Sequence, residues 1–244
     1  VRVALFVTCL VDQFFPHVGV ATVRLLRHLG LEVDFPAEQT CCGQPAFNAG
    51  YPAEARALAQ RMVKIFAGVE AVVAPSGSCV AMVRQHFPEL LQDNADWYRS
   101  AQELASKTYE FSEFLVHRLG REELGARLAA RVTYHDGCQA LRGLHLAEEP
   151  RRLLRAVDGL TLVELADREL CCGFGGTFAV DFAEVSGALG AEKADAIEAT
   201  GADYVVSTDC SCLLHLAGIL RRRSSRVRPV HLAELLAQGV NRAA

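Results

Sequence analysis

The chain has few of the features that would send its 244 residues to a membrane, a nucleic acid or an oxidising compartment. No apolar run approaches the roughly 18 residues that a bilayer-spanning helix needs. Val1 to Val7 passes directly into a strand-like pattern, without the basic, apolar and small-residue regions of a leader peptide. A cationic surplus is also missing. Lys and Arg number 25 against 29 Asp and Glu, the formal net charge is -4, and the two signs are mixed along the chain. That balance excludes the basic footprint of a nucleic-acid binder. The one basic cluster, Arg221-Arg222-Arg223 with Arg226 and Arg228, suits the C-terminal end of a helix, whose dipole it complements. There is a single Trp, Trp97, inside the polar stretch from Gln92 to Lys107, where it is expected to pack at a seam between domains. The glycine-rich run from Gly173 to Gly176 lacks the strand–GxGxxG–helix setting and the following acid of a dinucleotide site. Together these absences lead to the expectation of a cytoplasmic protein without a nucleotide cofactor, in a compartment where thiols stay reduced.

What the chain does have is cysteine, nine of them, in a pattern. In a reduced compartment such thiols are better read as metal or redox ligands than as a disulfide frame. Cys9, the pair Cys41-Cys42 and Cys79 recur at a nearly constant offset as Cys138, the pair Cys171-Cys172 and Cys212. The flanking sequence repeats with them. Val3 to Thr8, Leu31 to Phe35 and Val72 to Pro75 are short apolar runs consistent with buried strands, and so are Val132 to Asp136, Leu160 to Leu165 and Tyr204 to Ser207. Between them lie helical patterns opened by Pro16, Pro52 and Pro150. One such pattern puts Val20, Val23, Leu26 and Leu29 on a face, and another aligns Phe182, Val185, Leu189 and Ile197. Phe111 to Leu119 and His231 to Gln238 close the two copies, with His231 aligned to Phe111. A self-similarity of this length predicts two repeated Rossmann-like α/β units. Each would be a parallel sheet with helices on both faces, the two related by pseudo-twofold symmetry, with boundaries at residues 1–122 and 123–244. About half the residues are apolar, enough for a full core in each.

Every cysteine of the pattern falls just past an expected strand. In open α/β sheets that carboxyl edge is where ligands bind, so four thiols per half converge although 31 and 36 residues separate them in the first copy and 32 and 39 in the second. Buried cysteines can be plain small hydrophobes, but eight of nine falling into two matching sets argues for ligands. Zinc competes, although its structural sites draw on tight knuckle pairs. An iron–sulfur cluster suits thiolates gathered from three separate loops. Gly173, Gly175 and Gly176 would let backbone N–H groups approach sulfur, and helices beginning after Cys79 and Cys212 would aim their positive ends at the thiolates. His135 and Asp136, three and two residues before Cys138, are placed to hydrogen-bond a sulfur or merely the backbone, and His215 has the same two readings. Cys210 is either a displaced ligand or a buried thiol, and Asp209 is expected to cap the helix that follows it.

The arrangement of a lone Cys, a Cys-Cys-Gly and a final Cys resembles the cysteine-rich CCG domain. That domain occurs in tandem in the B subunit of heterodisulfide reductase and in iron–sulfur subunits of glycolate and lactate oxidation systems. The resemblance covers both copies. It is sharpest at Cys41-Cys42-Gly43-Gln44-Pro45-Ala46-Phe47-Asn48, Tyr134-His135-Asp136-Gly137-Cys138, Glu149-Pro150-Arg151 and Cys171-Cys172-Gly173-Phe174-Gly175-Gly176-Thr177-Phe178, which are most similar to the lactate-utilisation members. It implies an electron-transfer subunit of a multi-protein L-lactate oxidising complex, holding one or two 4Fe–4S clusters on Cys9, Cys41, Cys42, Cys79, Cys138, Cys171, Cys172 and Cys212, with the other subunits as partners. The fuller family pattern ends in CxxC. Here Ser76 and Asp209 stand at the first of those positions, leaving four thiols per half, so a conventional cluster or zinc in one half replaces the five-cysteine non-cubane cluster of the reductase. A heterodisulfide-reductase-like thiol–disulfide subunit and a zinc-stabilised assembly scaffold are the alternative functions.

Overall fold

Short β-branched runs alternating with amphipathic helices give two sheets of the same plan. The computed structural model describes residues 2–243, with side-chain surroundings through residue 240. In the first half β1 (Arg2–Leu5), β2 (Glu32–Asp34), β3 (Val72–Ala74) and β4 (Thr108–Glu110) lie in the order β2-β1-β3-β4, all parallel. In the second, β5 (Arg127–Tyr134), β6 (Asp158–Leu162), β7 (Tyr204–Ser207) and β8 (Arg228–His231) repeat it as β6-β5-β7-β8. The central strands are buried on both faces, as β3 shows with Val72, Val73 and Ala74 all inaccessible, and this is why they read as continuous apolar runs rather than alternating ones. Chain order reverses beside β1 and β5, so the carboxyl ends of β1 and β3, and of β5 and β7, frame one crevice per half. The expected α/β architecture of two repeated parallel-sheet units is what the chain adopts.

The halves exchange helices. The last helix of the second half, Leu232–Ala243, packs on the first long helix of the first half, Pro16–His28. Conversely the Phe111–Arg118 segment packs on Glu149–Arg155. Leu25, Leu26, Phe111, Leu115, Leu153, Leu154, Leu232 and Leu236 thereby share one core that runs through both repeats.

Tertiary packing shifts several expected faces. The Pro16–His28 helix buries Val18, Ala21, Thr22, Leu25 and Leu26 and leaves Val20 half exposed. In Ala183–Ala199 the inward side is Ser186, Gly190, Lys193, Ala194 and Ile197, while Phe182 and Val185 are solvent-facing. Small residues win there because the helix lies against the Cys172 loop: a Cβ on Gly190 would overlap Ile219 Cδ1 and stand 3.1 Å from the Cys172 carbonyl. Trp97, expected at a seam, packs within the first unit with Lys64 over its ring. His231 ends β8 as Glu110 ends β4, so its counterpart is Glu110 and not Phe111. Both side chains cap the helix that follows: Glu110 accepts from the Ser112 and Glu113 N–H groups, and His231 Nδ1 accepts from Ala233 N–H at 3.1 Å. Among the described residues no helix is long and apolar enough to cross a membrane.

Candidate metal centres

The nine cysteines are free thiols, and eight of them gather into two groups. In the first half Cys9 follows β1, Cys41 and Cys42 lie in the loop beyond β2, and Cys79 sits in the helix Gly77–Ala81 just after β3. The thiols interact in sequence, Cys9 with Cys41, Cys41 with Cys42, and Cys42 with Cys79 at an Sγ–Sγ distance of 3.5 Å. In the second half the same succession runs from Cys138 to Cys171, Cys172 and Cys212. Each group is deep at one end and open at the other: Cys42, Cys79, Cys172 and Cys212 are buried, Cys9, Cys41 and Cys171 are half-buried, and Cys138 is exposed.

The two loops bend the same way. Gly43 at φ 84° and Gly173 at φ 88° occupy the left-handed region, and each N–H donates back to the first thiol of its pair, at 3.4 Å to Cys41 and 3.3 Å to Cys171. Neighbouring thiols do more than these N–H groups, Cys42 and Cys9 acting on Cys41, and Cys138 and Cys172 on Cys171. The result is one sulfur per site pulled well below the usual thiol range, while its donors are held above it. Each site therefore sets one sulfur among S–H and N–H donors that favour its thiolate, the state in which cysteine binds metal. Gly175 and Gly176 also take positive φ and carry the loop into the short helix Phe178–Asp181, with no hydrogen bond to sulfur among the described residues.

The walls of the two sites differ. In the first, Gln39 holds the end of β1 to the loop before Cys41: its Oε1 accepts from Val7 N–H at 2.7 Å, and its Nε2 donates to the Leu5 and Pro36 carbonyls. In the second, charged groups do this. Arg151 has no exposed side-chain surface; it donates to both Asp136 oxygens at 2.7 Å, to Glu164 and to the Ala147 carbonyl, and lies over the Tyr134 ring. Buried Lys193 donates to the Asp167 and Arg168 carbonyls just ahead of the Cys171-Cys172 loop. Gln39, Glu164 and Lys193 carried no sequence signal, whereas Asp136 and Arg151 stood in matched stretches that did not show their pairing.

His135 is 1% exposed, and one of its ring nitrogens lies with Cys172 Sγ and Cys212 Sγ in a group whose atoms are all within 4.8 Å of one another. Neither ring nitrogen has a hydrogen-bond partner. Burial, with Lys193 adding to it, pushes its pKa down to about 3, so the imidazole is neutral and keeps a free lone pair. His215 stands further out, with its Nε2 3.4 Å from the Ser186 carbonyl and its ring edge-on to Phe174. Asp209 caps across the halves: its carboxylate accepts from Ser78 N–H at 2.8 Å and from the Ser78 and Ser211 hydroxyls, and makes no backbone cap on its own helix. Cys210 points away into a small apolar cluster with Val11 and Val18. Thiols turned toward one another, with an orphaned neutral imidazole beside the deeper pair, form a donor set for a thiophilic metal rather than a packing core.

Known proteins share this plan. The cysteine-rich domain family, CCG, matches residues 3–84 and 132–217, the two segments that carry the thiol groups. Lactate utilization protein A of Macrococcus caseolyticus (strain JCSC5402) is 52% identical over 235 residues, spanning 96% of both chains. The protein of that name from Bacillus subtilis (strain 168) is 47% identical over 96% of this chain and 98% of its own. Lactate utilization protein A 2 of Bacillus cereus (strain 03BB102) is 43% identical over 99% and 100%. Among solved structures, a hypothetical protein from Helicobacter pylori superposes on 98% of this chain and 49% of its own, with a TM-score of 0.67 at 12% identity, a likeness of fold alone. The chain belongs to the CCG cysteine-rich domain family, in the branch it forms with the lactate utilization A proteins.

Proposed function

We propose that the protein is the iron–sulfur electron-transfer subunit of a system that oxidises L-lactate to pyruvate. The observation that carries this reading is the pair of four-thiol sites at the carboxyl edges of two parallel sheets, in a chain whose relatives are named for lactate utilization. A bound 4Fe–4S cluster supplies one-electron storage and exchange. Cys9, Cys41, Cys42 and Cys79 would hold one, and Cys138, Cys171, Cys172 and Cys212 the other. The protein's own contribution is to fix these sulfurs from three loops each, to bring Gly43 and Gly173 N–H groups onto a thiolate, and to keep water from the deep thiols. Cys138, the one exposed thiol of the eight, would set the edge of its cluster nearest the surface.

The test is anaerobic purification followed by iron, acid-labile sulfide and zinc analysis. Iron and sulfide in matched amounts are expected, together with a reducible EPR signal. Stoichiometric zinc with no sulfide refutes the cluster reading and leaves the scaffold. The lactate assignment is tested separately, by whether the gene restores growth on lactate to a strain that lacks it.

A further inference from the structure

The second thiol group has something the first lacks. Where His135 stands at the end of β5, the equivalent place after β1 is filled by Phe6, equally buried and edge-on to Phe66. The fold at this point therefore accepts a plain aromatic ring, and packing does not call for an imidazole. An unpartnered buried polar ring is costly, since both nitrogens lose water and gain nothing in exchange. The chain's other fully buried histidine, His231, avoids that cost by using both nitrogens, Nδ1 on Ala233 N–H and Nε2 on the Pro75 carbonyl. His135 uses neither, and the metal-binding atoms grouped with it are the Cys172 and Cys212 sulfurs. Its position is also fixed from behind. The next residue, Asp136, is clamped by Arg151, and the preceding Tyr134 lies under the same guanidinium.

We infer that His135 is a metal-ligating residue of the second site, so that the two sites are chemically unlike: sulfur donors alone in the first, sulfur plus one imidazole nitrogen in the second. This rests on the iron–sulfur reading above. A neutral nitrogen donor in place of a thiolate puts less negative charge on the metal, and histidine ligation of that kind raises the reduction potential of an iron–sulfur centre. Lys193, buried near Cys171 and Cys172, acts in the same direction by adding positive charge. A cluster held with His135 at the second site would then have the higher reduction potential of the two.

The experiment uses the full chain, purified anaerobically, with 15N-histidine in one preparation, and reads the hyperfine coupling of the reduced centres. A strong nitrogen coupling that changes with the label is expected, as is its loss in His135→Phe, which installs the first half's own residue. The higher of the two potentials should fall in that variant while the lower one stays. His135→Gln, which keeps polarity without an imidazole, should lose the coupling as well. A parent protein with only weak, label-insensitive nitrogen coupling overturns the inference, as does a His135→Phe protein with unchanged spectrum and potentials; in both cases the iron–sulfur reading stands. If instead the parent holds no iron or sulfide, that reading fails. The zinc-loaded protein then decides His135, with a mixed sulfur and nitrogen X-ray absorption shell supporting it and a sulfur-only shell refuting it.

Discussion

Replacing Arg151 by methionine tests how the second site is held. The guanidinium and the Asp136 carboxylate both have no exposed side-chain surface, and they meet in two parallel bonds of 2.7 Å. Methionine keeps the apolar stem but removes the guanidinium that lies over the Tyr134 ring and leaves the buried Asp136 carboxylate short of its main partner. Breaking such a pair on one side costs about 3–5 kcal/mol when the remaining charge has lost its water as well as its counter-ion. Arg168 Nε, 3.6 Å from Asp136 Oδ2, offsets part of this, so the lower end of that range is expected. The second partner, Glu164, is 39% exposed and adds at most about 1 kcal/mol. The Asp136 term therefore decides the outcome, and it is a large share of the roughly 5–15 kcal/mol that holds a domain folded. Urea unfolding of the reduced, metal-depleted protein reads it directly: the midpoint of R151M should drop sharply at an unchanged slope. Combining R151M with Asp136→Leu removes both charges, and should restore most of the loss, with a coupling energy of about 2 kcal/mol or more in the double-mutant cycle. If R151M costs less than about 1 kcal/mol, or the two losses simply add, the network is not what positions Tyr134-His135-Asp136-Gly137-Cys138 and the argument falls.

Other outcomes follow from the same contacts. Gly190→Ala should destabilise by about 1–3 kcal/mol, since its Cβ would overlap Ile219 Cδ1 and stand 2.8 Å from His215 Nε2; metal analysis should show the second site emptied while the first keeps its metal. Gly77→Ala sets a helix-propensity gain of up to about 1 kcal/mol against a Cβ only 2.6 Å from Ala140 Cβ. The clash should win, lowering the melting temperature, and Ala140→Gly in the same chain should recover it. Burial raises the Glu110 pKa from 4.5 to about 8, so its contribution is full below pH 4.5 and disappears as pH climbs to about 8; Glu110→Gln should flatten that side of a stability–pH profile. Its counterpart His231 is lowered from 6.5 to about 4, chiefly by burial, and its contribution is lost as pH falls through that window, an acid-side slope that His231→Gln should abolish.

Much of the fold and half of the site could be read along the chain. Apolar runs ending at Cys9, Cys79, Cys138 and Cys212, with Cys-Cys-Gly loops between them, determine two parallel α/β units with thiols at the carboxyl edge, because strand periodicity and repeat spacing are properties of one dimension. That the Gly173 N–H approaches sulfur was legible for the same reason, since a glycine after a Cys pair is a local feature. Which face of Ala183–Ala199 turns inward was not, since Phe182 and Val185 are the more apolar choice and only the nearness of the Cys172 loop favours Ser186 and Gly190. Nor could the sequence show that Asp209 caps the other half's Ser78, that Cys210 turns toward Val11, or that Arg151 closes on Asp136. Above all, a histidine at a strand end reads the same whether its nitrogens are hydrogen-bonded, as those of His231 are, or unpartnered beside two thiols, as those of His135 are. A strand's end is written in its own residues, whereas the partners of a buried polar group are supplied by segments far away in the chain, and only their approach in three dimensions decides whether it is capped, paired or left to bind a metal.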